Sequence, residues 1–243
     1  MTLALYLWRR YEPAMRAAVL LFPGSNADAE MVRTLRDVMG LSTTVVWHGD
    51  RELPPNTDLC AIPGGFSYGD YLRCGAIAHT SPIVAALKRH AEAGGLVLGV
   101  CNGFQILTES GLLPGALTRN AHLRFECRDV FLRVEASGPF SPPHGRIMRL
   151  PIAHAEGRYH ADAATLERLA ADDAVAFRYC TADGSVTADA NPNGALQNIA
   201  GIYGGPRRNV LGLMPHPERM SEPLHGGEDG RLLFEAVVST AAI

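Results

Sequence analysis

The chain has 243 residues, 47% of them hydrophobic and 19% charged, and this length and composition predict one large globular domain with a buried core. The net charge of −3 argues against nucleic acid as a partner, and no apolar run is long enough to span a membrane. The cysteines form no C-x-x-C pair and no zinc-type cluster, which predicts reduced thiols in a cytoplasmic protein without a bound metal; they are Cys60, Cys74, Cys101, Cys127 and Cys180.

Apolar strands alternate with helices through the first half of the chain. Ser25 or Asn26 is the predicted N-cap of the first helix, and Ser81 that of the second. The alternation predicts an α/β fold with a mostly parallel open sheet and helices on both faces. The predicted elements are a strand at 17–22, a helix at 27–39, strands at 43–47 and 58–62, a helix at 82–93, a strand at 96–98 and a helix that stops at Gly111.

The pattern changes after residue 130. Alternating residues at 130–134 and 174–178 predict additional, antiparallel strands in the second half. A buried strand at 210–214 and a final helix at 231–238 follow. Residues 1–15 are interpreted as an N-terminal extension without an assigned role, and the domain is expected to span residues 16–243.

The segment Gly99-Val100-Cys101-Asn102-Gly103 joins a predicted strand to a predicted helix. Glycines two residues before and after a nucleophile allow the sharp turn of a nucleophile elbow. Cys101 would then lie at a helix N-terminus, where the dipole and free N–H groups favour the thiolate. The segment predicts a nucleophilic cysteine, although a buried structural cysteine beside a glycine turn has the same local pattern.

A second candidate segment, Pro215-His216-Pro217-Glu218, follows the predicted strand at 210–214. Proline on both sides of His216 predicts an extended chain and no helix, so that His216 and Glu218 project to the same side. A cysteine nucleophile needs a base, and the base needs an orienting group. A solvated surface loop would explain this segment alone, but both segments directly follow a buried strand, where open α/β sheets place their active sites.

A glycine turn, Pro63-Gly64-Gly65-Phe66, follows the predicted strand at 58–62 and is expected at the same sheet edge as Cys101. Acyl transfer requires N–H donors directed at the developing oxyanion. The turn could present one such amide and Asn102 the other, although a plain tight turn has the same sequence.

Together these segments resemble those of the class I, or triad, glutamine amidotransferases. Within that family, the chain from residue 16 to its end is similar to the glutaminase subunits that serve purine biosynthesis. The resemblance implies a class I amidotransferase fold of the flavodoxin-like type. The motifs that carry the finer resemblance are FPGSN at 22–26, PGGFSYGDYLR at 63–73, RFECR at 124–128, PIAHAEGR at 151–158, NPNG at 191–194 and PHPER at 215–219.

The resemblance also implies a reaction and a set of partners. The chain would hydrolyse glutamine to glutamate and ammonia, and would itself bind no cofactor. A separate synthetase subunit would bind ATP, magnesium and formylglycinamide ribonucleotide, and would use the ammonia to form the amidine. A short third subunit would join the assembly.

The family's catalytic roles transfer by motif. Cys101 would be the nucleophile, His216 the base and Glu218 the orienting group. The amides of Gly65 and Asn102 would form the oxyanion hole.

Other residues of the motifs are expected to bind glutamine, namely Gln105, Arg119 and Asn120. His154 lies in a segment that approaches the site in related glutaminases, and its role is left open between the site and the structure. The chain departs from the family at Ala27, where cysteine is frequent, and at Ala155, where glycine is frequent. Neither departure removes a catalytic group.

Two other functions share parts of this pattern. A different glutaminase or a γ-glutamyl hydrolase would keep the triad but lack the motifs at 63–73 and 124–128. A thiol redox sensor or chaperone on the same fold generally lacks the Pro-His-Pro-Glu segment, which this chain contains.

Overall fold

The computed structural model describes residues 15–241, in which eleven strands and five α-helices are found. The strands are β1 (Arg16–Leu21), β2 (Ser42–Trp47), β3 (Leu59–Ile62), β4 (Leu96–Val100), β5 (Ala116–Thr118), β6 (Glu126–Val134), β7 (Ile147–His154), β8 (Arg158–His160), β9 (Val175–Cys180), β10 (Ile199–Gly204) and β11 (Val210–Leu213). The helices are α1 (Asp28–Arg33), α2 (Ile83–Glu92), α3 (Asn102–Glu109), α4 (Ala163–Ala171) and α5 (Arg231–Ala241).

Nine strands form one sheet in the order β2-β1-β3-β4-β11-β10-β9-β6-β7. The first five strands of that order run parallel to their neighbours. From β11 onward each pair is antiparallel, and β5 and β8 form a separate antiparallel pair. The predicted α/β sheet with antiparallel strands in its second half is confirmed.

The core lies on both sides of the parallel strands. Every residue of β3 and β11 is buried, as are four of the five residues of β4. Because successive side chains of a strand point to opposite faces, both faces of this part of the sheet are covered. Within residues 15–241, no helix has the length and apolar character needed to cross a membrane.

The predicted N-caps are wrong. Helix α1 begins after Ala27 without a side-chain cap, because the Ser25 hydroxyl accepts a hydrogen bond from the backbone N–H of Phe22 instead. Pro82 precedes α2, and the Ser81 hydroxyl pairs with His48 Nδ1. The first helix also ends as an α-helix at Arg33 and continues as a π-turn over Thr34–Val38, where the sequence predicts one helix to residue 39.

Met15, one residue before the predicted domain boundary at 16, is 1% exposed and packs in the core. The predictions for residues 1–14 lie outside the described residues.

Candidate active site

Cys101 lies at the turn between β4 and α3, at the carboxyl end of a central strand. Its φ of +52° falls in a region that non-glycine residues rarely adopt and that is found at strained functional turns. Its backbone N–H donates to the carbonyl of Leu213 over 2.7 Å, which ties the turn to the end of β11. The cysteine is 5% exposed, so its side chain lies in a nearly closed space.

The glycines around Cys101 allow α3 to pack directly on the sheet. A Cβ at Gly99 would lie 2.5 Å from Leu107 Cδ1, and a Cβ at Gly103 would overlap the carbonyl oxygen of Ile62. Any side chain at either position would push α3 away from the strands that position Cys101.

A Gly103→Ala variant is expected to lose stability and activity together. Overlap with backbone cannot be relieved by a rotamer change, and overpacking of this kind costs about 1–3 kcal/mol. Urea unfolding measures the cost. Gly111→Ala is the matched control, because nothing lies within 4 Å of a Cβ there although φ is +75°; an equal or smaller loss in Gly103→Ala would contradict the packing argument.

His216 and Glu218 form a buried pair at the carboxyl end of β11. His216 Nδ1 lies 2.6 Å from Glu218 Oε1, and the two residues are 2% and 0% exposed. Within residues 15–241, His216 Nε2 has no hydrogen-bond partner. The carboxylate therefore fixes one ring nitrogen and leaves the other free.

The backbone that brings His216 and Glu218 together differs from the predicted one. His216 is extended, but Pro217 begins a 3₁₀ turn over Pro217–Met220, which proline tolerates in a first turn. The Glu218 carbonyl accepts hydrogen bonds from the hydroxyls of Thr34 and Ser221. The expected pairing is present, while the expectation of a continuously extended segment is wrong.

Cys101 and the His216 ring border the same small space. A Cβ placed on Gly64 would lie 3.4 Å from Cys101 Cβ and 2.6 Å from His216 Cε1, so only glycine fits between them. Burial disfavours the charged ring, but the charges of Glu218 and Cys101 outweigh burial and raise the pKa of His216 to about 10. The arrangement favours an imidazolium beside the cysteine sulfur.

The raised pKa of His216 predicts a pH-dependent stability difference between the parent and Glu218→Gln. The stabilisation from the charged ring is fully present below the unfolded-state pKa of about 6.5. It is lost as the pH rises through the folded-state value of about 10. Removing Glu218 lowers that value, so the difference in unfolding free energy should be largest near pH 6 and should shrink toward pH 10. Urea titrations across this range measure it, and a difference that grows with pH would contradict the assigned direction.

Gly65 and Asn102 lie on the two segments that flank Cys101. The Gly64 carbonyl accepts hydrogen bonds from the amides of Asn26 and Ala27, each at 3.2 Å, so the Gly65 N–H lies on the opposite side of that peptide. Gly65 lines the cavity beside Cys101. Asn102 is the first residue of α3, where backbone N–H groups lack intrahelical partners.

A cavity of about 70 Å³ adjoins Cys101. Gln105 lines it, although its side-chain amide already accepts from Asn102 Nδ2 at 2.9 Å and donates to the Glu156 carbonyl at 2.6 Å. Other lining residues to which the sequence analysis gave no role are Phe66, Asp70, Cys74, Ala153 and Glu156. Phe66 and Asp70 lie in the 63–73 motif, and Glu156 lies in the 151–158 motif. Membership in these motifs is the sequence signal that could have identified their large or charged side chains as cavity residues.

Arg119 and Asn120 do not line this cavity. The Arg119 side chain is 77% exposed and its Nε lies 3.6 Å from Glu156 Oε1. Asn120 is 0% exposed and binds backbone groups of Arg124 and Gly157 and the ring of His154. Arg119 thus reaches the rim of the cavity, whereas Asn120 lies behind His154.

Comparisons with known proteins found a matching family model and several similar proteins. A family model described as a CobB/CobQ-like glutamine amidotransferase domain matches residues 14–227. The chain is 55% identical over 229 residues to phosphoribosylformylglycinamidine synthase subunit PurQ of Rhodospirillum rubrum, covering 93% of this chain and 99% of the relative. The PurQ subunit of Gloeobacter violaceus is 54% identical over 230 residues, with 93% and 98% covered. A solved structure of PurLQS from Thermotoga maritima matches with a TM-score of 0.81 and 40% identity, over 93% of this chain and 98% of that one.

Proposed function

This chain belongs to the CobB/CobQ-like glutamine amidotransferase family, and we propose that it hydrolyses glutamine with Cys101, His216 and Glu218 as its catalytic triad. It is a glutamine amidotransferase subunit of phosphoribosylformylglycinamidine synthase, a carbon–nitrogen ligase of purine biosynthesis, as its PurQ relatives are. The observation that carries the triad is the buried 2.6 Å contact between His216 and Glu218, next to a cysteine on a strained elbow.

In the first half of the reaction, the Cys101 sulfur attacks the side-chain carbonyl carbon of glutamine. The carbonyl oxygen becomes an oxyanion, and the backbone amides of Gly65 and Asn102 are the proposed donors that stabilise it. The His216 imidazolium then donates its Nε2 proton to the leaving nitrogen. Ammonia departs and a γ-glutamyl thioester on Cys101 remains.

In the second half, neutral His216 accepts a proton from water at Nε2. The resulting hydroxide attacks the thioester carbonyl, and the same two amides stabilise the second oxyanion. Collapse of this intermediate breaks the carbon–sulfur bond, releases glutamate and restores the cysteine sulfur beside the imidazolium. Glu218 keeps the ring oriented through Nδ1 in both halves.

Gln105 and Arg119 are proposed to hold the substrate, and Asn120 to act through His154. Gln105 positions the cavity wall through its bonds to Asn102 and Glu156. The exposed guanidinium of Arg119 suits the α-carboxylate of glutamine at the cavity rim. Asn120 has no free surface, so its contribution is to fix the His154 ring.

The ammonia is consumed by a partner. The chain assembles with a synthetase subunit, since PurLQS is the solved complex that it resembles at 40% identity. We propose that this synthetase binds ATP and Mg²⁺ and that a short third subunit completes the assembly. We place the complex in the cytoplasm, where free thiols such as the five of this chain stay reduced.

The loop at 66–73 is proposed as the main docking surface for the synthetase. Tyr71 and Leu72 are 74% and 92% exposed, and exposed apolar groups of this size mark interaction sites. Tyr68, Asp70 and Leu72 all have positive φ, and strain of this kind is typical of switch segments. The sequence motif at 151–158 contributes less, because Ile152 and His154 are buried in β7.

Docking on this loop is expected to raise glutamine hydrolysis by about 10²–10³-fold, the effect of completing one oxyanion donor. Glutamate release is compared between the chain alone and the complex loaded with ATP and formylglycinamide ribonucleotide. Equal rates would contradict control by the partner.

A pair of variants assigns the effect to the loop. Leu72→Asn removes an exposed apolar side chain while asparagine tolerates the positive φ, so the activation should fall and the basal rate should stay. Leu224→Asn, at a position 88% exposed on another segment, should leave the activation unchanged. Equal activation in the two variants would show that the loop is not part of the interface with the synthetase.

A further inference from the structure

The cavity beside Cys101 has a wall of hydrogen-bond acceptors to which the triad gives no role. Asp70, His154 and Glu156 all line the cavity, and these three residues are called the acceptor wall below. Among the described residues, Asp70 Oδ1 and His154 Nε2 are buried atoms without any hydrogen-bond partner. Buried polar atoms are nearly always paired in folded proteins, so these two atoms indicate a missing partner.

The hydrogen-bonding state of His154 follows from its neighbour Asn120. The Asn120 Nδ2 donates to the carbonyls of Arg124 and His154 at 2.8 and 3.0 Å, and its Oδ1 accepts from the N–H of Gly157 at 3.1 Å. These three bonds fix the orientation of the amide. The oxygen is therefore the atom that faces His154 Nδ1 at 3.2 Å, and Nδ1 must carry the proton.

Nε2 of His154 is consequently an acceptor. The ring is 3% exposed, and burial, together with the charge of His216, lowers the pKa of His154 to about 4. At neutral pH the ring is uncharged, its single proton is on Nδ1, and Nε2 presents a lone pair. A buried residue that lines the cavity thus carries an acceptor atom without a partner among the described residues.

The two carboxylates of the wall carry negative charge that the chain balances only in part. Burial, helped by the negative charge of Glu156, holds the pKa of Asp70 above its usual range, although the hydrogen bond with Cys74 acts in the opposite direction. Arg119 reaches Glu156 at 3.6 Å, whereas Arg73 is engaged by Glu109 at 2.6 Å. Cys74 cannot supply a compensating charge.

A metal ion does not fit this wall. Among residues 15–241, no group of three or more His, Cys, Asp or Glu side chains is arranged to hold one. A ligand that matches one nitrogen lone pair and two carboxylates is instead a cation with several N–H donors.

We propose that Asp70, His154 and Glu156 form the subsite for the α-ammonium group of free glutamine. This inference rests on the proposed glutaminase activity and names the part of the substrate that the wall recognises. The α-ammonium has three N–H donors, one for each member of the wall, and the exposed Arg119 at the rim takes the α-carboxylate. The site accordingly selects the free amino acid over amides that lack the α-amino group.

The test compares two substrates with the assembled complex, and the readout for each is the dicarboxylate product of hydrolysis, glutamate or glutarate. One substrate is L-glutamine, and the other is glutaric acid monoamide, which is glutamine without its α-amino group. Asp70→Asn keeps the size of the side chain and suits the φ of +57° at this position. For this variant the KM for glutamine should rise about 10- to 100-fold with kcat nearly unchanged, whereas the KM for the monoamide should change by less than about threefold.

Two further variants distinguish the loss of a direct contact with the substrate from the loss of a carboxylate elsewhere in the chain. Glu156→Gln should show the same selective loss for glutamine. Glu126→Gln removes a carboxylate that is paired with His154 in the register of β6 and β7 but does not line the cavity, and it should leave both KM values unchanged. Equal losses on both substrates in Asp70→Asn, or an equal selective loss in Glu126→Gln, would overturn the assignment.

The outcome also distinguishes this inference from the proposed function. A parent complex that forms no glutamate from glutamine would contradict the glutaminase activity itself. A parent complex that is active, with an Asp70→Asn variant indistinguishable from it on both substrates, would overturn the ammonium subsite alone.

Discussion

A Cys101→Ala complex should lose glutamine-dependent amidine synthesis by about 10⁴-fold or more, because no other group can form the thioester. Alanine has no nucleophilic atom, and the buried His216–Glu218 pair does not bring another one to the carbonyl carbon. Synthesis from added ammonia should persist, since that chemistry takes place on the synthetase subunit. Product formation is measured with glutamine and with ammonium chloride in the same preparation.

The control for Cys101→Ala is Cys180→Ala. Cys180 is also a buried free cysteine, but it lies in β9 and does not line the cavity. Its substitution should preserve both activities within a factor of about three, as expected for a group that makes no transition-state contact. A Cys101→Ala complex that still used glutamine at a tenth of the parent rate would refute the nucleophile.

His216→Ala should lower glutamine-dependent turnover by about 10²–10⁴-fold, the range for a general acid–base group. Glu218→Gln should be milder, at about 10–10²-fold, because the ring stays in place but its charged form loses a buried carboxylate partner. In both variants kcat should fall more than the KM for glutamine rises, because the ring and its carboxylate act in the transition state rather than in holding the substrate.

Glu222→Gln is the matched control for Glu218→Gln. Glu222 is the next acidic residue of the same segment and pairs with the exposed Arg33 at 2.8 Å. Its substitution removes the same charge without reaching the His216 ring, and turnover should stay at the parent level. Full turnover in Glu218→Gln would show that Glu218 does not take part.

The sequence predicted the triad segments because their geometry is local. A buried strand followed by glycine, cysteine and glycine determines an elbow within five residues, and His216 and Glu218 need only two residues to meet. The predicted carboxylate contact therefore survived the unpredicted 3₁₀ turn at Pro217. The parallel strands were likewise recognisable as short runs that are apolar on both faces.

Elements of the second half were harder to predict. β10 at Ile199–Gly204 is not among the predicted elements, because two glycines interrupt its apolar pattern and its register with β9 is irregular. The missed helix α4 did have a signal, since Asp162 caps it by accepting from the Thr165 N–H at 2.8 Å and strong helix formers follow.

Roles that depend on several loops were not predictable. Asn120 appears in the sequence as a polar residue near a substrate motif, and only the fold shows that it is buried against His154 and Gly157. Asp70 lies in a loop with positive φ at residues 68, 69, 70 and 72, and no sequence rule indicates that one of its oxygens is left without a partner. Long-range contacts decide both roles.

The most direct test of the central claim is covalent labelling by a glutamine-analogue diazoketone, followed by peptide mass spectrometry of the complex. One adduct is expected on Cys101, and excess glutamine should prevent it. Burial raises the pKa values of Cys60, Cys74 and Cys180, which keeps these thiols protonated, and Cys127 is exposed but outside the cavity. Labelling of any other cysteine in place of Cys101, or labelling that glutamine does not suppress, would contradict the assignment of Cys101 as the residue that attacks glutamine.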